Sequence, residues 1–178
     1  MKLTKQINLV NRGVLKSLIL KNGPGWQTTE SKGYLLIESG PDRVLENKVV
    51  TIINAAQEMI CLQSFLIQDS DIINALVTAV EQRKVRVFVL SASNVRLKDN
   101  MEEEPDFKRA DYVQMLEKKF RYNFVHRSSE NFHAKFIVAD AQTKPLGLIC
   151  TNNFTTMGFA KNVEAGVLLS PEQCLELY

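Results

Sequence analysis

The stretch HAKFIVAD, residues 133–140, places a histidine and a lysine two positions apart within an apolar, β-type run. On a β-strand, residues i and i+2 project from the same face. His133 and Lys135 are therefore predicted to point the same way, while their apolar neighbours fill the opposite face. The stretch predicts a strand that carries a candidate nucleophile and a cation on one side.

Two further polar pairs with the same spacing follow along the chain. Thr151 and Asn153 form the first pair, and Asn162 and Glu164 form the second. Each pair is predicted to lie on or beside a strand, where residues two apart share a face. Three polar pairs at strand spacing indicate one shared polar site.

In these residues the chain resembles the phospholipase D superfamily. The signature of that family consists of His-x-Lys, four residues and Asp, then Gly-Ser-x-Asn, then a later Asn-x-Glu. The residues that match it, with threonine in place of serine as one conservative change, are His133, Lys135, Asp140, Thr151, Asn153 and Glu164. All of them follow the family's order along the chain, so the resemblance is specific.

The sequence departs from the family pattern in two places. Cys150 stands where the family has glycine, and the loop between Asp140 and Thr151 is a few residues longer than usual. That loop contains KPLG, residues 144–147, a turn-type sequence that predicts an extended hairpin and an intact site. Cys150 needs more backbone room than glycine, which bears on the placement of Thr151.

The resemblance implies a fold and a reaction. The implied fold is α/β, a mixed β-sheet flanked by helices on both faces. The implied reaction is an attack of His133 on phosphorus that forms a covalent phosphohistidine. Lys135 and Asn153 are then expected to hold the non-bridging oxygens, while Glu164 and Thr151 orient the histidine and sustain its charged form.

Asp140 is the exception within the motif. It lies seven positions from His133, so on a regular strand the two residues have opposite parity and face opposite ways. We expect Asp140 to have a structural role at the strand end and to make no contact with the phosphate.

Metal ligands are not evident in the sequence. We find no cluster of carboxylates for magnesium and no convincing ligand set for zinc. The expected reaction is therefore metal-independent, and no cofactor is expected.

The number of histidines bears on assembly. Departure of the leaving group needs an acid, and in the family a histidine from a second copy of the motif supplies it. This sequence has one copy, and its other histidine, His126, has no lysine at the required offset and is expected at the surface. We expect a homodimer with both motifs near a two-fold axis. A second motif-bearing domain of a longer protein is the alternative.

Size and composition are those of an ordinary globular protein. The chain has 178 residues, of which 45% are hydrophobic and 24% charged, close to the prior for one domain. No apolar run approaches the roughly 18 residues that span a bilayer. Three cysteines without paired spacing favour a reducing compartment, and the amino terminus lacks the pattern of a secretory signal. We predict a cytoplasmic location.

Charge and turn residues divide the chain into residues 1–33 and residues 34–178. The first segment is a basic N-terminal extension with five Lys or Arg and no acid before position 30. It either packs on its own domain or a partner, or lies on an anionic membrane or nucleic acid. The second segment is the phospholipase D-like catalytic domain. Its last helix, opened by Pro171, has only begun when the sequence stops, as expected of a fragment.

Strands and helices alternate through the second segment. Residues 69–83 are the clearest helix, capped by Asp69 or Ser70, and they lie between predicted strands at residues 59–67 and 85–90. This arrangement predicts a βαβ unit. The other predicted elements are a strand at 34–37, a helix at 43–56, an acidic loop at 91–106, a helix at 107–120 and a strand at 122–126.

The substrate is predicted from a basic and aromatic stretch that precedes the motif. Its candidate substrate-binding residues are Lys118, Lys119, Arg121 and Arg127. Such a stretch suits phosphates and unstacked bases, which favours a nuclease acting on DNA or RNA. A solvated helix end followed by a core strand has a similar composition. The alternatives are a phospholipase D or phosphatidyltransferase acting on phospholipid head groups, and a non-catalytic nucleic-acid-binding module.

Overall fold

The structure of the protein is a computed structural model that describes residues 29–31, 34–38, 42–92, 112–131 and 133–178. Most of the predicted basic extension, the predicted acidic loop and the first part of the helix predicted at 107–120 lie outside these ranges.

Eight strands form one mixed sheet within the described residues. In chain order the strands are β1 (Thr29–Ser31), β2 (Tyr34–Glu38), β3 (Met59–Gln63), β4 (Arg86–Ala92), β5 (Phe124–Ser129), β6 (Phe136–Ala139), β7 (Leu146–Cys150) and β8 (Ala165–Leu168). Their order across the sheet is β1-β2-β8-β7-β6-β3-β4-β5. Strands β3, β4 and β5 are parallel, and all other neighbours are antiparallel. β1 lies inside the segment that the sequence assigned to the extension.

Five helices accompany the sheet in the described residues. They are α1 (Val44–Ala55), α2 (Ser70–Arg83), α3 (Tyr112–Lys119), α4 (Thr156–Ala160) and α5 (Pro171–Glu176). Helix α2 connects the parallel strands β3 and β4, so the predicted βαβ unit is confirmed. Asp69 caps α2 by accepting hydrogen bonds from the N–H groups of Asp71 and Ile72. Pro171 occupies the first turn of α5, as predicted.

Strand β6 lies in the middle of the sheet and is buried along its whole length. Ile137 and Ala139 face the main core, to which α1 through α4 contribute apolar side chains. Phe136 and Val138 face the other side and pack against Cys174 of α5. The α/β fold with helices on both faces is therefore confirmed, with four helices on one face and α5 on the other among the described residues.

The strand register brings the polar segments of the motif to one edge of the sheet. Gln63, at the end of β3, pairs with Phe136, at the start of β6, and Phe136 pairs with Ile149 near the end of β7. Gly166, near the start of β8, pairs with Cys150. We call this side, where β3, β4, β5 and β7 end and β6 and β8 begin, the His133 edge. The other side is the opposite edge.

The boundaries of three predicted strands are wrong, among them those of the strand predicted at 122–126, which runs from Phe124 to Ser129 as β5. β6 begins at Phe136, so the His-x-Lys segment precedes the strand and does not lie on it. β3 ends at Gln63, short of Ile67, because residues 64–69 turn to bond the segment after β7. Ile67 forms an isolated bridge with Phe154 there.

Candidate active site

Lys135 and His133 are in direct contact although they share no strand face. His133 is exposed, whereas Lys135 is buried, with 5% of its surface exposed. The Lys135 Nζ lies 2.7 Å from His133 Nδ1, 2.9 Å from Nε2 and 2.8 Å from the carbonyl oxygen of His133. The ring also lies against Phe65, with 6.1 Å between ring centroids. A buried cation is thus held at the ring of the candidate nucleophile.

Burial lowers the pKa of Lys135 from its usual value, while the charge of the Glu164 carboxylate acts to raise it. Desolvation disfavours the ammonium, and a nearby carboxylate favours it. Glu164 therefore lies close enough to Lys135 to act on its charge. An arriving phosphate would favour the charged form in the same way.

Thr151 and Glu164 are joined by a hydrogen bond in which the Thr151 hydroxyl donates to Oε2 of Glu164. Asn162 donates to the other carboxylate oxygen at 3.3 Å. The Ala165 N–H donates to the Thr151 hydroxyl at 3.1 Å, and the Thr151 N–H donates to the Ala165 carbonyl at 2.9 Å. The two segments that follow β7 and precede β8 are thereby fixed to each other.

Asn153 lies on the segment after β7 with its amide oxygen buried. That oxygen has no hydrogen-bond partner among the described residues. The carbonyl of Asn153 accepts from the Thr155 N–H at 2.8 Å and from the Asn152 side chain at 2.9 Å, which fixes the backbone. This oxygen is an acceptor and cannot bind a phosphate oxygen, so any contact of Asn153 with a phosphate would have to come from its N–H₂ group.

Cys150, at the family's glycine position, is buried between two motif segments. Its thiol is buried and lies 3.8 Å from the Lys135 carbonyl and 3.7 Å from that of Asn152. Burial, with a smaller effect of Glu164, raises the pKa of Cys150 to about 12. The side chain is thus a neutral, inert filler between the two motif segments.

Asp140 lies at the opposite edge, at the far end of β6 from His133. Its carboxylate accepts three backbone N–H groups, from Gln57 at 2.7 Å and from Glu58 and Met59 at 2.9 Å each. Its backbone is left-handed, with φ 47°. One strand of four residues, about 13 Å, separates it from the site. Asp140 closes the turn between α1 and β3.

A set of buried contacts fixes the Asn153 segment from behind. The Ser64 hydroxyl accepts from the Phe154 N–H at 3.0 Å and donates to the Leu66 carbonyl at 2.6 Å. Asp69 accepts from the Thr156 hydroxyl at 3.1 Å. The sequence indicated Asp69 as a helix cap, but gave no signal for this second contact or for Ser64.

The structure corrects the expectation that no carboxylates cluster. Glu46, Asp69 and Asp71 come together where α1 and α2 begin. Arg43 forms an ion pair with each of the three, at 2.7 Å to Asp69 and 3.6 Å to Asp71. Burial, followed by the charge of Asp69, raises the pKa of Glu46 to about 7, and Arg43 opposes the shift. The residues were missed because they converge from two helices.

The predicted substrate-binding residues do not meet at the site. Lys118, Lys119 and Arg121 precede β5 and therefore lie at the opposite edge. Arg127, within β5, is exposed and lies 3.8 Å from Glu117. None of the four contacts His133 in the structure's hydrogen bonds or ion pairs.

The second histidine is half-buried within β5, contrary to the surface position expected for it. His126 Nε2 lies 2.8 Å from the Ser91 hydroxyl. Burial lowers the pKa of His126, Glu117 raises it and Arg127 lowers it. Three strand spacings, about 14 Å, separate β5 from β6. His126 is therefore too far away to act with His133 on one phosphorus atom.

The sheet and its edge site define a phospholipase D-like domain. Residues 49–178 match the family model described as cardiolipin synthase, PLD-like domain, which is well over half of the chain. The chain belongs to this family. No curated protein sequence matches it significantly.

Solved structures share the fold. Nuc from Salmonella typhimurium, a phospholipase D family member, is 21% identical over 82% of this chain and 88% of its own, with a TM-score of 0.60. NucT from Helicobacter pylori is 15% identical over 81% and 89%, with a TM-score of 0.60.

Two larger proteins also contain the fold. TrmBL2, an archaeal chromatin protein with a novel mode of DNA binding, is 16% identical over 82% of this chain and 48% of its own, with a TM-score of 0.52. Phosphatidylserine synthase from Haemophilus influenzae Rd KW20 is 12% identical over 92% and 38%, with a TM-score of 0.59. Within the parts of the chain that the structure describes, no helix has the length and apolarity needed to cross a membrane.

Proposed function

We propose that the protein is a metal-independent phosphodiesterase in which His133 is the nucleophile. The observation that carries the proposal is the contact of the buried Lys135 ammonium with the exposed His133 ring. A buried lysine with a lowered pKa is costly, and such groups cluster at functional sites. The family to which the chain belongs supports the same reading.

In the proposed reaction a ring nitrogen of His133 forms a bond to phosphorus as the bond to the leaving oxygen breaks. The leaving oxygen takes a proton from an acid. Water then attacks phosphorus and the phosphorus–nitrogen bond breaks. The acid, deprotonated in the first step, now acts as a base and takes the proton of the water. Lys135 turns from the ring to a non-bridging oxygen, with Asn153 donating beside it. Thr151 and Glu164, hydrogen-bonded to each other, orient the site.

We propose that the acid is His133 of a second copy of the chain, so that the working unit is a homodimer. His126 is held about 14 Å away by the sheet and is bonded to Ser91. A second motif-bearing domain of a longer protein would complete the site in the same way.

Nucleic acid is our preferred substrate. The Phe65 ring lies beside His133, and an aromatic face near a phosphate site suits an unstacked base. TrmBL2, which shares the fold, is described as binding DNA, which supports the same class. Asp140 is proposed to act only through stability, since its carboxylate is occupied by backbone N–H groups.

Phospholipid head groups are the second candidate. Val163, between Asn162 and Glu164, is 72% exposed, and Met157 on α4 is also exposed. Apolar side chains beside a phosphate site are what a lipid substrate requires. The family model is described as cardiolipin synthase, and a phosphatidylserine synthase shares the fold.

The test is incubation with single- and double-stranded DNA, RNA and labelled phospholipid, each in EDTA. We expect nucleic acid to be cleaved and His133→Ala to lose turnover by at least about a thousandfold while remaining folded. Abolition by EDTA with rescue by magnesium would contradict the mechanism. Release of a head group alone would select the lipid alternative, and binding without turnover would select a non-catalytic module.

We also propose a cytoplasmic location. Cys61, Cys150 and Cys174 are all free thiols, which suits a reducing compartment. Alkylation of all three in protein unfolded directly from cells would support this, and disulfide-linked species would contradict it.

A further inference from the structure

A pocket at the opposite edge of the sheet has no part in the proposed reaction. It is an open groove of about 370 Å³ that lies where α2 ends and where the turn before β5 begins. Its lining residues are Val80, Glu81, Lys84, Lys119, Phe120, Arg121, Tyr122 and Asn123. The volume falls in the range of small-molecule sites.

Cations dominate this pocket. Lys84, Lys119 and Arg121 line it, against the single acid Glu81. Lys119 Nζ lies 2.6 Å from the Glu81 carboxylate, and Lys84 Nζ donates to the Glu81 carbonyl at 2.9 Å. Two ammonium groups therefore converge on one residue, and the lining keeps a net positive charge. A phosphate would satisfy this charge.

An exposed aromatic ring lies beside these cations. Tyr122 is 92% exposed, so its ring contributes almost nothing to the core. The neighbouring Phe120 is partly buried and lies under Lys119 Nζ, 4.8 Å from the ring centroid. A flat exposed ring next to phosphate-binding cations fits a ligand that carries both a base and a phosphate.

We propose that this pocket is a second phosphate-binding site that takes a nucleotide, either free or as one unit of a single-stranded nucleic acid. β5 has six residues, so about 20 Å separates the pocket from the His133 edge. The site is independent of the chemistry at His133 and goes beyond the proposed function.

The test uses the full chain with His133→Ala, so that no probe is consumed. The ¹⁵N-labelled protein is titrated with inorganic phosphate, with ADP and with a thymidine decamer. We expect amide shifts at residues 81–84 and 119–123 with all three probes. ADP binding stronger than decamer binding would identify a free nucleotide as the source, and the reverse order would identify the polymer.

Variants separate the two parts of the pocket. Lys84→Gln with Arg121→Gln should weaken every probe at least tenfold and lower the salt slope of decamer binding by about 1.4. Tyr122→Ala should weaken ADP and decamer about tenfold and leave phosphate unchanged. Lys144→Gln, a loss of one exposed charge on the same edge, is the control and should change nothing.

Three results would overturn the proposal. The first is shifts confined to residues near His133 with every probe. The second is wild-type affinity in the Lys84 and Arg121 double variant with its fold intact by circular dichroism. The third is the absence of amide shifts at residues 81–84 and 119–123 with all three probes.

Discussion

Replacing Asp140 by asparagine separates a structural role of this motif residue from a catalytic one. Asparagine tolerates the left-handed backbone at this position, so the change acts mainly on the carboxylate. The carboxylate now accepts N–H groups from Gln57, Glu58 and Met59. Asparagine retains one oxygen acceptor and places an N–H₂ group where the second oxygen stood.

The expected cost follows from these three bonds. A hydrogen bond to a charged group contributes about 1.5–3 kcal/mol, and a neutral one about 1 kcal/mol. Two bonds weaken and one is lost, so we expect a loss of about 3 kcal/mol in the free energy of unfolding. For a chain of this size that corresponds to a fall in Tm of about 6–12 °C. Turnover per folded molecule should change less than about threefold.

The assay combines urea denaturation with initial rates measured well below the Tm of the variant. Asp42→Asn, a change of an exposed carboxylate just before α1, is the matched control and should alter neither quantity. Wild-type stability together with complete inactivity would refute the structural assignment of Asp140.

Three further predictions concern the site and its surroundings. The wild-type protein should lose about 1–2 kcal/mol of unfolding free energy as the pH rises from 5 to 8, because burial raises the pKa of Glu46 to about 7 and the folded state keeps this proton after the unfolded state has lost it. Glu46→Gln should abolish this loss. An unchanged pH profile in urea denaturation would contradict the prediction. Ser64→Ala should lower kcat about tenfold and change KM less, because the Asn153 segment loses a contact that fixes it. The partly buried Thr78→Ala, which removes a hydroxyl bonded within α2, is the control and should change neither quantity. An isolated mixed dimer of wild type and His133→Ala should retain far less than half of the activity, and half-activity would exclude a shared site.

Element types were predictable from the sequence where local chemistry decides them. Helix α2 has an apolar stripe and a capping aspartate, and both were visible in the sequence. Strand ends were less predictable, because they depend on distant partners. β3 stops at Gln63 only because Ser64 bonds to Phe154, ninety positions away. The contact of Ser64 that fixes the Asn153 segment was not predictable for the same reason.

The basic stretch shows that nearness in sequence does not fix nearness in the fold. Lys118, Lys119 and Arg121 come shortly before the motif in the chain, but they do not lie beside His133. β5 lies between them and His133, and its six residues carry the chain from one edge of the sheet to the other. The identity of the motif residues was predictable, since side-chain type and spacing survive such displacements.

The central position of β6 has a consequence for how the protein is made. Until the ribosome has released Phe136, β3 has only β4 beside it, and the backbone N–H and C=O groups along its other flank have no partner strand. Such an open edge attracts strands from other chains and favours aggregation. β6, the strand that follows His133 and Lys135, is also the strand that pairs with this free flank of β3. A nascent chain therefore gains its nucleophile in the same step that ends its exposure to misassembly.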